Sequence, residues 1–526
     1  MFALEEPVRF SRSRLWELQR QFYQGLGPAA WANKLVPNTI STNAFMAQAY
    51  ARVLAGYLQD LATGRAGPVD PAHPIHIVEI GAGSGRLGYL ISRFLSEFAA
   101  PLAKRKKGPL FRYVLTDGVA ANLEAWQRHP RLAQPLKDGL IDLALFDPAN
   151  DTGITLLNQG TTLEAAIGGN PLALVANYAF DILPYDVFSV GGGRIFEHRV
   201  GLNLPEAPAG EIEGSPETLK KLSFQEEDHP AELPYYGHPV QDGILSDYAA
   251  QLPDGLVTFP VAALSCLERL AGWGQGRLLV LASDKARFAR SQLTGRNGLG
   301  LSLDGAFAAT VNLEAVSRAV AAWGGLSMAR AAPNPRFDSY TFLLSPDPEN
   351  LSATRTAVQD QLLSFGPQAY YSLLSNLRSQ GAKAGLSPLL ALLSLGKPDP
   401  AILFRLSKAL LDLTEVRAKL SEAERRELLN LIRAAWDNRF ELSEESNAAF
   451  HFARLSKRLG DVDQAVWLYK ASLETGTPDT ATWYNLGLCQ LELGQKEQAQ
   501  DSFKSVLALK PDHPGAAGKL AEIHTP

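Results

Sequence analysis

A run of glycines and a spaced set of polar residues hold the chemistry of this sequence. In Ile75–Gly88, IHIVEIGAGSGRLG, an apolar, β-branched lead-in meets Gly81, Gly83 and Gly85, and Leu87–Phe98 follows with helical character. This reads as a strand, a tight turn and a helix start. A ligand can lie against backbone N–H groups there, because glycine has no Cβ to block the approach. Gly83-Ser-Gly85-Arg-Leu-Gly88 also fits the dinucleotide pattern GxGxxG, a weak signal when it stands alone. Phe111–Leu115 then leads to Asp117, where a carboxylate at a second strand tip could accept from both hydroxyls of a ribose. Asp147 follows a third apolar run, Ile141–Phe146. A fourth, Pro171–Ala176, enters Asn177-Tyr178-Ala-Phe-Asp181-Ile-Leu-Pro184, whose polar groups emerge at the sheet's ligand edge.

The elements that must position these residues are legible in order. Residues 11–63 read as two helices, with one stripe through Leu15, Trp16, Leu18, Phe22 and Tyr23 and another from Phe45 to Leu61. Ser41, Thr42 or Asn43 between them either caps the second helix or lines a pocket from above. Four strand-like runs alternating with helical stretches argue for a parallel sheet with ligands at the strand C-termini. Residues 187–245 break the alternation, with a hairpin at Gly191–Gly193, and are expected to form an inserted lid over the substrate side. Arg277–Ala282 reads as a fifth strand. Leu326–Ala332 and Ser339–Leu344 read as a closing antiparallel pair around Pro333–Pro335.

Bulk properties exclude several classes. The 526 residues allow two to four domains, and a net charge of −5 argues against nucleic acid as partner or substrate. The basic run Lys104–Lys107 reads as a solvated loop closing a helix. Cys266 and Cys489 are too few and too far apart for a disulfide or zinc framework, so no metal is expected. MFALEEPVRF is no secretory leader, and no run reaches the ~18 apolar residues of a membrane span. A cytoplasmic protein is expected.

Glu79-Ile-Gly81-Ala-Gly83-Ser-Gly85 is similar to the first motif of class I S-adenosylmethionine (SAM) methyltransferases, in which an acidic residue precedes GxGxG. More closely, ordered landmarks over residues 35–345 resemble the MidA-like class I methyltransferases, whose mitochondrial members methylate an arginine of a respiratory complex I subunit. VEIGAGSGRL resembles that family's first motif, and ANYAFDILPYDVF its Asn-Glu-Phe-Phe-Asp-Ala-Leu-Pro segment. LVLASDKARF and LDGAFAATVNLEAV resemble its fifth strand and a later Asp-Gly stretch. The resemblance implies a Rossmann-like α/β methyltransferase sheet with SAM as cofactor. Glu79, Gly81, Gly83, Gly85, Asp117, Asp147, Thr42 and Asn43 would contact SAM. Asp181 would orient or deprotonate the nucleophile, with Asn177 and Tyr178 positioning it by hydrogen bonds. Where the family has Glu after its Asn, this chain has Tyr178.

From Gln368 on, the pattern is helical throughout. Gly460/Gly494, Ala465/Ala499 and Tyr469/Phe503 recur 34 residues apart, and Trp483, Gly487, Ala499, Phe503 and Pro511 sit at the spacings of a tetratricopeptide (TPR) repeat. The expected layout is a helical preamble over 1–70, a methyltransferase domain over 71–345, a helical region over 346–440 and TPR-like repeats over 441–526. The leading expectation is a SAM-dependent methyltransferase acting on a protein side chain, arginine among the candidates, held through the TPR tail. A degenerate scaffold of the same fold and a NAD-type oxidoreductase are the rivals.

Overall fold

The computed structural model describes every residue except 34, 37–39, 104–108, 209, 294–298, 300–309, 331–336, 416–419, 442–447, 476–478 and 525–526. The basic run Lys104–Lys107, the Pro333–Pro335 turn and the start of LDGAFAATVNLEAV therefore lie outside the described residues. Two compact units emerge, Met1–Thr42 with Met46–Gln368, and Ala369–Pro526 with Asn43–Phe45.

The first unit is organised by a seven-stranded sheet. Its strands are β1 (Ile75–Ile80), β2 (Phe111–Asp117), β3 (Ile141–Leu145), β4 (Leu172–Asn177), β5 (Leu278–Asp284), β6 (Leu326–Met328) and β7 (Asp338–Leu344), in the order β6-β7-β5-β4-β1-β2-β3. β1 to β5 pair in parallel, while β7 runs antiparallel to both β5 and β6. This is the Rossmann-like sheet expected from the sequence, with the closing antiparallel pair in place. All residues of β1, β5 and β7 are buried, as in a sheet covered on both faces. The chain leaves β1 toward β2 and β3, then returns to place β4 on the other side of β1. That reversal opens a crevice outside the C-terminal ends of β1 and β4.

Among the described residues three α-helices stand before the sheet: α1 (Leu15–Leu26), α2 (Ala29–Ala32) and α3 (Ala44–Ala62). The glycine turn then opens α4 (Arg86–Phe98). The hairpin around Gly192 and Gly193 forms from Asp186–Gly191 and Arg194–Leu204, and Ser223–Pro230 pairs alongside. Two strands that the periodicity did not reveal complete this five-stranded sheet, Phe2–Arg9 and Gly255–Phe259. Phe2–Arg9 hides its nature because no residue of FALEEPVR is fully buried. Arg9 ties it to buried Asp186 at 2.6 Å. Leu15, Trp16, Leu18 and Phe22 of α1 pack with Val187, Val200 and Leu202 of this sheet, so the insert carries α1.

Among its described residues the second unit has helices and no strand. Helices Ala448–Arg458 and Val462–Thr475 meet at Gly460, and Thr480–Glu492 and Lys496–Leu509 at Gly494. Both glycines take the left-handed φ that a sharp helix–helix turn needs, +83° and +74°. Ala465, Ala499, Tyr469 and Phe503 are fully buried at the two crossings. One apolar core joins Leu389, Leu390, Leu392, Leu393, Leu428, Ile432 and Trp436 to Phe452, Leu459 and Leu486, so helices on both sides of residue 440 share it. Among the described residues no helix is long and apolar enough to cross a membrane.

Candidate active site

The glycine turn is held from below and packed from two sides. Gly83 N–H donates to Asp117 Oδ2 at 2.9 Å, and Val119 N–H donates to Asp117 Oδ1 at 3.0 Å. Gly81, Gly83 and Gly85 all take positive φ, +63°, +55° and +76°. Their open sides differ. A Cβ on Gly81 would meet nothing within 4 Å, whereas one on Gly83 would stand 2.6 Å from the Trp31 ring. A Cβ on Gly85 would stand 2.7 Å from Trp126 Nε1, the atom that donates to the Gly83 carbonyl at 3.1 Å. Gly88 lets α4 close onto Glu79 and Leu115. In a dinucleotide fingerprint the second glycine admits a pyrophosphate to the backbone. Here the Trp126 indole fills that position, so the literal GxGxxG match does not make a pyrophosphate cradle.

A cavity of about 470 Å³ lies over the strand tips. Glu79, Gly81, Gly83, Asp117, Asp147, Thr42, Asn177, Tyr178 and Asp181 all line it. The structure thus brings together almost every residue singled out above. Gly85 is outside the wall because Trp126 covers it, and Asn43 is buried outside the wall, next to the start of α3. The insert corrects a second expectation. No described residue of 187–245 lines the cavity, and the cover includes Trp16, Gln19, Arg20, Tyr23 and Gln24 of α1 with Trp31 of α2. In the sequence Trp16 and Tyr23 read only as part of an apolar stripe. The missed signal is the spacing 16, 19, 20, 23, 24, one helix face that mixes aromatic rings with amides and a cation.

The carboxylates of the site are buried at different depths of support. Burial pushes Glu79 up to about 8, against the hydrogen bond it accepts from Tyr113 Oη at 3.1 Å. Burial raises Asp117 to about 6, opposed by the backbone N–H groups that it accepts. Asp147 accepts from Ala149 N–H and Asn150 Nδ2, and the Arg20 guanidinium stands 3.9 Å away.

The strap after β4 is fixed mainly through its backbone. Asn177 Nδ2 donates to the Ser41 carbonyl at 2.6 Å, and Tyr178 N–H donates to the Ser283 carbonyl at 2.8 Å. Tyr178 sits at φ +49°, a conformation uncommon outside glycine, with its ring stacked on Phe337 at 5.5 Å. Asp284 Oδ2 accepts from Phe180 N–H at 3.1 Å and anchors the next turn. Asp181 is buried, and its Oδ1 has no hydrogen-bond partner among the described residues. Burial pushes Asp181 up to about 7, with Lys285 pulling the other way. Burial and the neighbouring Asp181 hold Asp284 well above the usual carboxylate range. A carboxylate near 7 in a cavity wall is poised to take a proton at neutral pH.

This environment has a consequence for stability. A carboxyl with a raised pKa favours the fold below its ordinary pKa and loses that contribution as pH rises through the folded value. For Asp181 the window runs from about 4 to about 7. Asp181→Asn should therefore melt progressively higher than the wild type as pH rises across that window, with the two converging at its acid end. Thermal melts of both proteins between pH 4 and 8 check this, and a constant offset would mean that Asp181 keeps an ordinary pKa.

Comparisons with known proteins bear on both units. Residues 480–513 match the tetratricopeptide repeat model. A "likely methyl transferase" from Burkholderia thailandensis bound to S-adenosyl-homocysteine is 17% identical, over 68% of this chain and 84% of that one, with a TM-score of 0.36. An uncharacterized protein from the same organism is 15% identical over 68% and 83%, with a TM-score of 0.37. A TPR protein of Thermus thermophilus is 18% identical over 33% and 88%, with a TM-score of 0.22. No curated protein matches the sequence. At these scores the fold rests on the strand order described above.

Proposed function

We propose that the protein is a SAM-dependent methyltransferase that modifies a protein side chain, with residues 71–345 forming the catalytic domain and the TPR-type repeats of 441–526 docking the substrate. One observation carries the reading. The open face of Gly81, the buried carboxylates Glu79 and Asp117, and the strap Asn177–Asp181 share a single cavity at the sheet's switch point. Gly81, Gly83 and Glu79 would hold the amino-acid end of SAM. Asp117 would take the ribose hydroxyls on lone pairs left over from its two backbone bonds. Asp147 and Thr42 would close the cofactor's flanks. The sulfonium supplies an activated methyl group, so this chain's residues need only exclude water, align the nucleophile and accept its proton. Asp181 is the proposed acceptor, with Asn177 and Tyr178 positioning the nucleophile.

A second reading, a scaffold that keeps the fold without the reaction, draws support from Tyr178, which stands where the resembling family has Glu. It also draws support from an Asp117 already engaged with the turn. Tritiated methyl-SAM added with the purified chain to an extract of cells lacking it separates the two. Label in protein is expected, and an unlabelled extract with SAM still bound by the chain would favour the scaffold.

Docking is testable at one side chain. Ala499 is fully buried between helices Thr480–Glu492 and Lys496–Leu509, beside Phe503. Ala499→Leu should overfill that crossing by about 1–3 kcal/mol. Partner recovery in pull-downs should fall while calorimetric SAM affinity stays at the wild-type value. Undiminished partner recovery would place docking elsewhere.

A further inference from the structure

The glycine turn raises a question that the motif alone does not. Gly83 lines the cavity, yet the Trp31 ring stands 2.6 Å from where its Cβ would be. Trp31 comes from the short helix α2, whose turn is closed by hydrogen bonds from Asn33 N–H to Ala29 O and from Val36 N–H to Ala30 O, both at 2.9 Å. Tyr23 of α1 stacks on it, with ring centroids 6.1 Å apart and planes inclined by 23°. Tyr23 in turn lies within the fields of both Asp181 and Asp117, which with burial push its phenol well above the ordinary value. The two rings therefore reach from the turn across to the strap. Of the three glycines in the turn, Gly81 alone has no atom within 4 Å of where its Cβ would stand.

We propose that Trp31 is the specificity-determining roof of the cofactor site. With Tyr23 behind it, it covers Gly83 as Trp126 covers Gly85, so that the cavity takes a ligand with one nucleoside and a short flexible arm and refuses one with a second nucleotide. The inference rests on the SAM reading above and adds the residue that enforces it. A planar indole stacked on a second ring offers the broad, rigid face that purines and cations bind, at low entropic cost. Because Gly83 and Trp31 are in contact, the side chain at either position fixes what the other can be. The roof comes from outside the sheet, which no reading of the glycine motif contains.

The test compares Trp31→Ala and Trp31→Phe with the full-length wild type, titrated calorimetrically with SAM, S-adenosyl-homocysteine and NAD. Trp31→Ala should weaken SAM by at least tenfold and narrow the preference for SAM over NAD. Trp31→Phe, which retains a ring, should stay within about threefold of the wild type. S-adenosyl-homocysteine should also change the tryptophan emission of the wild type, and Trp31→Phe should remove most of that change, the remainder coming from Trp16 in the same wall. Wild-type SAM affinity in Trp31→Ala, or an emission change undiminished in Trp31→Phe, would overturn the proposal. Should Trp31→Ala fail to fold, the emission change in wild type against Trp31→Phe decides alone. Failure of the wild type to bind SAM at all would instead overturn the cofactor reading.

Discussion

Gly83→Val is expected to abolish SAM binding. Its Cβ would arrive 2.6 Å from the Trp31 ring, and its branched side chain would have to hold φ near +55°. Overpacking costs about 1–3 kcal/mol and a left-handed β-branched residue about 1–2 more, together a loss of roughly 30-fold or greater if the turn absorbs it. The Gly83 N–H bond to Asp117 is strained by the same movement, so the wall and the ribose carboxylate shift together. The control is Gly81→Ala. Nothing lies within 4 Å of its Cβ, so the fold should tolerate it apart from the φ cost, and its methyl would meet the ligand alone. Calorimetry on both variants, with circular dichroism to confirm folding, checks the pair. A Gly83→Val protein that binds SAM as the wild type does would remove the turn from the site.

Asp181→Asn is expected to keep SAM affinity and to lower methyl transfer by about 10²- to 10⁴-fold, the usual contribution of a positioned general base. The amide has the shape of the carboxyl but cannot take a proton. In the wild type, burial places Asp181 near 7, so turnover should rise with pH through that value as the carboxylate forms. The variant should lose that ascending limb. Equal turnover by the variant, or a wild-type profile flat between pH 6 and 8, would return Asp181 to a structural place in the strap.

How much of this was legible in the sequence depends on what each residue answers to. β1, β2, β4 and β5 are buried on both faces, so their apolar runs announced them, and the polar residues at their tips followed. The strap was found because its polar residues directly follow such a run. The TPR crossings were legible because small and aromatic residues recur together at a fixed period. Phe2–Arg9 was not, since a half-exposed edge strand with a proline carries no apolar alternation. The cavity's cover was misassigned to 187–245 because an insertion at that point in the chain says nothing about where its faces end up. Trp16 and Tyr23 reach the site through α1, which packs on the insert's sheet, and Trp31 through α2, tertiary relations with no local signature. The GxGxxG ambiguity had the same origin. Whether Gly85 faces a pyrophosphate or an indole depends on Trp126, which lies 41 residues further along the chain.

The central claim is that this cavity holds SAM, and calorimetric titration of the full chain with SAM and, separately, with NAD tests it most directly. The account predicts saturable binding of one SAM per chain and no binding of NAD. Binding of NAD without SAM, or of neither, would contradict it.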